Sequence, residues 1–250
     1  MSHLTFPDPN ADHNPEMVTM PYKRRRWPRG RPGSGGVDMG VVEAPDQGLA
    51  PYRPLVAFDF DGTLTWRDSF VAFLSWDAGP VRYGLGMASL APPALSYAAD
   101  HDRGRLKAAM VARFLAGRSR TDLAARADAF AASHARRLFR PDAIRCWKVW
   151  QKRQARLVIV TASPEILVAP FGRGLGAEMV IGTRLAFSDD DIATGALDGP
   201  NCRGAEKVKR LRAVFGDDVR LEAAYGDSDG DREMLTMTDE PGMKLFGGRP

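Results

Sequence analysis

Two aspartates two positions apart are the residues in this chain that most clearly could do chemistry. Asp59 and Asp61 follow an apolar run that begins at Leu55, and they are followed at once by Gly62 and Thr63. Carboxylates so close repel each other unless a cation lies between them or one of them carries a proton. One aspartate could attack phosphorus as a nucleophile, and the other could move the proton. The spacing alone leaves open whether a cation or a proton relieves this repulsion.

Further polar residues follow later apolar runs. "RLVIVTAS" contains Thr161, "RLEAAYGDS" leads into Asp227 and Asp231, and Lys207 begins the helical segment before that last run. In parallel sheets, ligands bind at the carboxyl ends of the strands, so we expect these groups to lie together. Carboxylates from two strands suit Mg²⁺. A hydroxyl, a helix N-terminus and an ammonium suit a phosphate dianion.

The elements that must position these groups follow from the apolar pattern. Runs of apolar residues predict strands in five places: 55–60, 156–163, 178–185, 220–228 and 243–246. Because they are almost continuously apolar and alternate with helical segments, they indicate a parallel sheet covered on both faces. The predicted fold class is α/β, with a Rossmann-like parallel sheet core.

Helical segments are predicted at 141–154, 164–171 and 205–216. Between the first two strands, a long stretch without strand signals carries apolar residues at helical spacing, and Thr121 is its predicted N-cap. We interpret 68–140 as a separate helical cap. The core then comprises 55–67 and 141–250. His134 is expected on a helix face rather than as a ligand.

Composition limits the class of protein. The chain has 250 residues, 44% of them apolar, and a net charge of +4, which is ordinary for a soluble protein and gives no argument for nucleic acid binding. Its two cysteines, Cys146 and Cys202, do not indicate a disulfide framework, which favours a reducing, cytoplasmic location. The N-terminus lacks the order of charges and apolar residues found in a signal peptide. Nothing in the sequence fixes the oligomeric state.

Two segments leave alternatives open. Residues 1–54 are rich in proline and arginine and are predicted to be a disordered tail. Its basic cluster at 22–33 either keeps the protein soluble or contacts an anionic partner such as a membrane surface. The stretch 83–99 predicts either two short helices that meet at Pro92 and Pro93, or a hairpin that dips into a membrane.

Four motifs in order make the sequence resemble the haloacid dehalogenase (HAD) superfamily. They are "DFDGTLT" from Asp59, "VIVTAS" with Thr161, "CRGAEKVKRL" with Lys207, and "YGDSDGD" with Asp227 and Asp231. The insertion after the first motif resembles the cap of subfamily IB, the phosphoserine phosphatase-like branch. Within that branch, "VTASPEILV" resembles SerB-like hydrolases, which include phosphatidylglycerophosphatase C-like enzymes.

The resemblance implies roles for the acidic residues. Asp59 would be the nucleophile and a Mg²⁺ ligand. Asp61 would be the general acid and base, and its backbone carbonyl would reach the metal. Asp227 would be a further Mg²⁺ ligand, and Asp231 would support the metal shell or the motif lysine. Asp229 has no counterpart in the family pattern and is expected to be a solvated loop residue.

The resemblance also implies a phosphate-binding set formed by Gly62, Thr63, Thr161 and Lys207. Two departures from phosphoserine phosphatase itself concern the substrate. That enzyme has Ser-Gly-Gly in its second motif where this chain has Thr-Ala-Ser, and its substrate-binding glutamate aligns with Asp68, a shorter acid. Asp68 is therefore interpreted as a substrate ligand, as a cap hinge, or as the N-cap of a helix that begins at Ser69.

The resulting prediction is a Mg²⁺-dependent phosphomonoester hydrolase. It would act through an aspartyl-phosphate on a small phosphorylated metabolite such as phosphoserine. Asp61 favours this over dehalogenase activity, because the dehalogenases of the superfamily lack the second aspartate. The alternatives are a lipid-phosphate phosphatase at the membrane surface, a phosphotransferase, and a catalytically silent binding protein.

Overall fold

The computed structural model describes residues 52–90 and 103–250, which contain seven strands, seven α-helices and a short 3-10 helix at Asp229–Asp231. The strands are β1 Leu55–Phe58, β2 Arg156–Pro164, β3 Met179–Thr183, β4 Leu185–Phe187, β5 Ala193–Leu197, β6 Ala223–Gly226 and β7 Pro241–Met243. The helices are α1 Ser69–Ser89, α2 Arg103–Leu115, α3 Arg120–Leu138, α4 Pro141–Lys152, α5 Glu165–Leu175, α6 Ala205–Phe215 and α7 Arg232–Leu235.

A five-stranded parallel sheet in the order β3-β2-β1-β6-β7 forms the centre of the described unit. Helices α1 to α3 come between β1 and α4, at the position of the predicted insertion. The predicted α/β class with helices inserted after the first strand is therefore confirmed.

The central strand β1 is apolar throughout because it lies between two hydrophobic cores. Val56 and Phe58 belong to the larger hydrophobic core, which includes Trp147 of α4. Leu55 and Ala57 belong to a second core on the other side, which includes Leu211 of α6. Because alternate residues of a strand point to opposite faces, a strand covered on both faces needs apolar residues at every position.

Two strand predictions need correction. The predicted strand 178–185 divides, because β3 ends at Thr183 and β4 pairs antiparallel with β5 in a separate two-stranded sheet. β5 was not predicted from the sequence. The last strand lies at β7 rather than at 243–246, because it pairs with β6 through Pro241, Gly242 and Met243.

The β4–β5 hairpin lies against the end of α2. The amide of Gly117 donates to the carbonyl of Ala193, and the amide of Ala193 donates to the carbonyl of Arg118, both at 2.8 Å. Ser119 also pairs with Ile192 as an isolated bridge. That pairing holds Ser119 extended, so its hydroxyl, not that of Thr121, caps α3 by accepting from the amide of Asp122 at 3.1 Å. The predicted N-cap at Thr121 was wrong.

The predicted tail and the predicted helix pair at 83–99 lie partly outside the residues that the structure describes. Residues 1–51 of the predicted tail 1–54 and residues 91–102 lie outside the described part of the chain, so the structure tests neither the basic cluster nor the second half of the stretch 83–99. The first half of that stretch belongs to α1, which bends at Gly79 and Pro80. None of the described helices has the length and apolar content needed to cross a bilayer. His134 lies on α3 and stacks on Phe130, as expected.

Candidate active site

The predicted motif residues converge at the carboxyl ends of β1, β2 and β6, around a cavity of about 380 Å³. Asp59 directly follows β1, and its amide donates to the carbonyl of Tyr225 at 2.8 Å, which extends the pairing with β6. Asp61, Gly62, Thr161, Lys207, Asp227 and Asp231 all line this cavity. Thr63 lies just beneath it, buried, with its hydroxyl 3.4 Å from Asp59 Oδ2.

Lys207 is the buried cation of the site. Its Nζ donates to Asp59 Oδ1 at 2.6 Å, to Asp231 Oδ1 at 2.6 Å and to the carbonyl of Val160 at 2.5 Å. All three donors of the ammonium are therefore used. Burial alone would lower the pKa of Lys207, but the charges of Asp59 and Asp231 and the hydrogen bonds to both raise it. The lysine remains charged and fixes one oxygen of each aspartate.

The carboxyl group of Asp59 has unusual protonation behaviour. Burial raises its pKa to about 7 from an ordinary 3.8, against the opposing effect of Lys207, and the charge of Asp231 adds to the rise. A second cation close to Asp59 would favour its ionised form at neutral pH. Since Lys207 binds Oδ1, the oxygen left for a ligand is Oδ2, which accepts only the long hydrogen bond from the hydroxyl of Thr63 among the described residues.

Asp61 is held from both sides. Its Oδ1 accepts from the amide of Ser69 at 2.7 Å, and its Oδ2 accepts from the hydroxyl of Ser163 at 2.5 Å. Ser69 is the first residue of α1, so the start of the cap helix directly orients this carboxyl group. No role for Ser163 was predicted from the sequence. The period of two along a strand was the available signal, because it places Ser163 on the same face of β2 as Thr161.

The loop after β1 requires glycine at position 62. Gly62 has a φ of +85°, and a Cβ atom there would lie 2.1 Å from Asp227 Oδ2. The carbonyl of Gly62 accepts from Arg140 Nε at 3.1 Å. The close approach lets the carboxylate of Asp227 face the same space as that of Asp59.

The acidic cluster fits a hard cation. Asp59, Asp227 and Asp231 each have a carboxylate oxygen within 4.8 Å of the others. Asp231 is already engaged, because its Oδ1 binds Lys207 and its Oδ2 accepts from the amides of Asp227 and Ser228 and from the hydroxyl of Ser228. Within 52–90 and 103–250, no group donates a hydrogen bond to the carboxylate of Asp227. Asp59 and Asp227 are thus the carboxylates left for a hard cation, which prefers oxygen ligands of this kind.

Two of these acids have opposite pKa shifts. Burial raises the pKa of Asp227, and the charge of Asp231 adds to this. Burial also acts to raise the pKa of Asp231, but the charge of Lys207 and the hydrogen bonds it receives lower it below its usual value. Asp231 is therefore a stable anion. Within 52–90 and 103–250, Asp227 forms no ion pair, and only the more distant charges of Lys207 and Arg140 oppose the rise of its pKa.

Comparison with known proteins agrees with this geometry. Residues 56–236 match the model of the haloacid dehalogenase-like hydrolase family. The chain belongs to this family. It is also 55% identical over 214 residues to the protein CicA of Caulobacter vibrioides, a match that covers 82% of this chain and 96% of that protein. The resemblance based on the four motifs is thereby confirmed.

Solved structures with the same fold include phosphoserine phosphatase. A substrate-bound phosphoserine phosphatase complex is similar with a TM-score of 0.54 and 18% identity, over 78% of this chain and 87% of that chain. A protein of unknown function from Bordetella pertussis Tohama I has a TM-score of 0.64 and 22% identity, over 76% of this chain and 88% of that chain. At these identities the similarity concerns the fold of this HAD-like hydrolase.

Asp68 and Asp229 of this HAD-like hydrolase lie in very different surroundings. Asp68 is the N-cap of α1, since its Oδ1 accepts from the amide of Val71 at 2.9 Å, and it also lines the cavity. Burial and the charge of Asp61 raise its pKa. Asp229 is 80% exposed and pairs with Arg232, which agrees with the prediction of a solvated loop acid.

The cap contributes a cation that the sequence analysis missed. Lys107 of α2 lines the cavity, and its Nζ donates to the carbonyl of Ala162 at 2.6 Å. Burial lowers the pKa of Lys107, while the charges of Asp61 and Asp68 oppose this. Lys107 could not be predicted as a site residue, because it belongs to no motif. It reaches the cavity only through the packing of α2 over the sheet, which the residues around Lys107 do not reveal.

Proposed function

We propose that this HAD-like hydrolase is a Mg²⁺-dependent phosphomonoesterase that acts through an aspartyl-phosphate on Asp59. The main support is the contrast between two aspartates of one turn. Asp59 has one oxygen fixed by a buried ammonium, whereas Asp61 is held between a hydroxyl and a backbone amide at the start of the cap. The two carboxyl groups are thereby set up for different tasks, attack on phosphorus and proton transfer.

In the first half-reaction, Asp59 Oδ2 forms a bond to phosphorus as the bond between phosphorus and the ester oxygen breaks. Asp61 donates its proton to the departing oxygen, so the first product is the free alcohol. Lys207 keeps Asp59 Oδ1 in place during the attack, and Thr161 lines the cavity where its hydroxyl can donate to the phosphoryl group. Mg²⁺ bound by Asp59 and Asp227 would neutralise negative charge that otherwise repels the phosphate.

In the second half-reaction, Asp61 takes a proton from a water molecule, and the water oxygen forms a bond to phosphorus. The bond between phosphorus and Asp59 then breaks, which releases inorganic phosphate and restores the carboxylate. Asp61 ends the cycle protonated, as it began. The contacts from Ser69 and Ser163 keep its carboxyl group in one orientation through both proton transfers.

A small phosphorylated metabolite is the substrate class we propose. The cavity has a cation from the cap, Lys107, and an acid next to the cap hinge, Asp68, in addition to the phosphate-binding groups. A substrate with both an ammonium and a carboxylate beyond its phosphate could use both. The fold shared with phosphoserine phosphatase makes phosphoserine the first compound to test.

The test is hydrolysis of an aryl phosphate with and without Mg²⁺, by the wild-type protein and by two asparagine variants. Asp59→Asn should abolish turnover. Asp229→Asn is the matched control, because it removes the same charge from an exposed position in the fourth motif, and it should retain wild-type activity. Turnover that survives Asp59→Asn would contradict the proposed nucleophile, and turnover that ignores Mg²⁺ would contradict the proposed metal.

Action on a lipid phosphate is the second candidate. One observation favours it: on the half of α1 beyond the bend, Val81 and Leu85 are 72% and 66% exposed, and Arg82 is exposed between them. Flotation with anionic vesicles, with and without residues 1–54, tests this alternative. Binding to vesicles together with hydrolysis of a phosphorylated lipid in them would favour it over the small metabolite.

A further inference from the structure

A second cavity lies among the cap helices and shares no lining residue with the catalytic cavity. It has a volume of about 430 Å³, and its residues come from α1, α2, α3 and the turn after α2. Leu74 and Phe114 are among its apolar lining residues. Its polar residues are two aspartates and four arginines, Asp77, Asp122, Arg82, Arg113, Arg118 and Arg126. Two positive charges therefore remain after every aspartate is matched with an arginine.

The two aspartates are already occupied by two of the arginines. Asp77 is largely buried and accepts from both Arg118 and Arg126, the latter at 2.6 Å. Asp122 is 2.7 Å from a guanidinium nitrogen of Arg118. Arg126 also lies over the ring of Trp76 at 4.3 Å. These contacts fix the positions of the Arg118 and Arg126 side chains. They neutralise two of the four arginines and leave the cavity with a net positive charge.

The other two arginines carry the excess charge. Arg82 and Arg113 form no ion pair with any carboxylate in the described ranges, 52–90 and 103–250. Arg113 Nε donates to the hydroxyl of Ser89 at 3.0 Å, which leaves its two terminal nitrogens as donors. The bend in α1 sets the direction of the segment that carries Arg82, since Gly79 has a φ of +74° and Pro80 follows it. Both residues line the same cavity.

Such an arrangement fits an anion better than it fits any other small ligand. Guanidinium groups bind phosphate oxygens through paired hydrogen bonds. Two guanidinium groups at one cavity that form no ion pair with a carboxylate repel each other, and an anion bound between them removes this repulsion. We propose that this cap cavity binds a phosphate-bearing anion through Arg82 and Arg113, as a site separate from the catalytic centre. Arg118 and Arg126, held by Asp77, form the charged wall behind it.

The first experiment measures the binding of inorganic pyrophosphate to the full chain by calorimetry in a buffer without divalent cations. The double variant Arg82→Gln/Arg113→Gln should bind at least tenfold more weakly than the wild-type protein. The matched control is Arg136→Gln/Arg137→Gln, which removes the same charge from exposed positions on α3 outside the cavity, and it should bind like the wild type. Equal affinity of the wild type and the Arg82/Arg113 variant would overturn the proposal.

A second variant guards against a folding defect. Arg82 is exposed and makes no ion pair with the described residues, so Arg82→Glu should keep the thermal stability of the wild type while weakening pyrophosphate binding more than tenfold. Retained affinity in a folded Arg82→Glu protein would also overturn the proposal.

A vesicle experiment distinguishes a free anion from a lipid headgroup. Vesicles of phosphatidylglycerol should bind the wild-type protein and not the Arg82/Arg113 variant if the source of the phosphate is a lipid, and pyrophosphate should then compete. Pyrophosphate binding that depends on both arginines, with no binding to vesicles, assigns the site to a soluble anion. If neither ligand binds in a manner that depends on Arg82 and Arg113, the proposal is wrong.

Discussion

The two sides of the catalytic cavity are built in different ways. The core side consists of Asp59, Lys207, Asp227 and Asp231, whose mutual contacts come from strand ends and one helix of the sheet domain. The cap side places Asp61 against Ser69 at the start of α1 and adds Lys107 from α2. The contacts of the core side thus fix the proposed nucleophile, Asp59, independently of the cap, whereas the orientation of Asp61, the proposed proton carrier, depends on where the cap helices lie.

The largest effect should follow from removing the buried cation. Lys207→Met would leave Asp59 and Asp231 buried without their shared partner, and breaking a buried ion pair from one side costs about 3–5 kcal/mol. Urea unfolding should show this loss together with loss of turnover. Lys209→Met, at an exposed position two residues further along α6, is the control and should change neither. Wild-type stability of Lys207→Met would mean that the core side does not depend on this lysine.

A second large effect concerns the stability of the metal-free protein as pH changes. The pKa of Asp59 is raised to about 7 in the folded state from 3.8. The ionised form therefore destabilises the fold, and the stability present below pH 4 is lost as pH rises through 7. Asparagine is neutral at every pH. Asp59→Asn should raise the melting temperature most above pH 7, and the difference should shrink toward pH 4.

Thermal melts of both proteins between pH 4 and pH 9 in a chelating buffer measure this difference. A difference in melting temperature that stays constant from pH 4 to pH 9 would show that burial of the Asp59 charge does not cause the stabilisation. Added Mg²⁺ should then stabilise the wild type and leave Asp59→Asn unchanged, because the variant lacks one of the two proposed ligand carboxylates.

A smaller effect is expected on the cap side. Ser163→Ala removes one of the two hydrogen bonds to Asp61, and a hydrogen bond to a charged group is worth about 1.5–3 kcal/mol. We expect kcat to fall by roughly 10- to 100-fold on that basis. The melting temperature should fall by several degrees, because the same bond also stabilises the fold. Ser133→Ala on α3, where the hydroxyl binds the backbone of its own helix, is the control. A Ser163→Ala enzyme with the kcat of the wild type would remove Ser163 from the proposed positioning of Asp61.

The smallest effect distinguishes the roles of Asp68. Asparagine can also accept the hydrogen bond from the amide of Val71, so Asp68→Asn should keep the N-cap, whereas Asp68→Ala should lose about 1 kcal/mol of stability. If Asp68 also binds substrate, Asp68→Asn should raise KM for phosphoserine without a change in stability. An unchanged KM would limit Asp68 to capping α1.

The contrast between the two sides also explains what the sequence predicted. Asp59, Thr161, Lys207 and Asp227 could be found because each stands at a strand end or a helix start that has a clear apolar pattern. Parallel strands bring such positions together whatever the rest of the chain does. The convergence of these residues on one cavity was therefore predictable from pattern alone.

The cap side and the hairpin were less predictable for physical reasons. Lys107 reaches the catalytic cavity through the packing of α2 over the sheet, a long-range arrangement without a local signature. β5 was missed because "ATGAL" is short and contains Gly195 with a φ of +87°, and its pairing depends on contact with the end of α2. The pairing of Ser119 with Ile192 likewise moved the start of α3 away from Thr121.

Arg140 has a practical consequence for anyone who joins another protein to this one. Its guanidinium donates to the carbonyl of Gly62, in the loop after β1, and also to the carbonyl of Gly248 at 3.0 Å. Asp142 holds the same segment through the amides of Gly247 and Gly248, both at 2.8 Å. A fluorescent label or purification tag placed after Pro250 would pull on a segment bonded to that loop. A linker long enough to leave 247–248 undisturbed is therefore the safer design for activity assays.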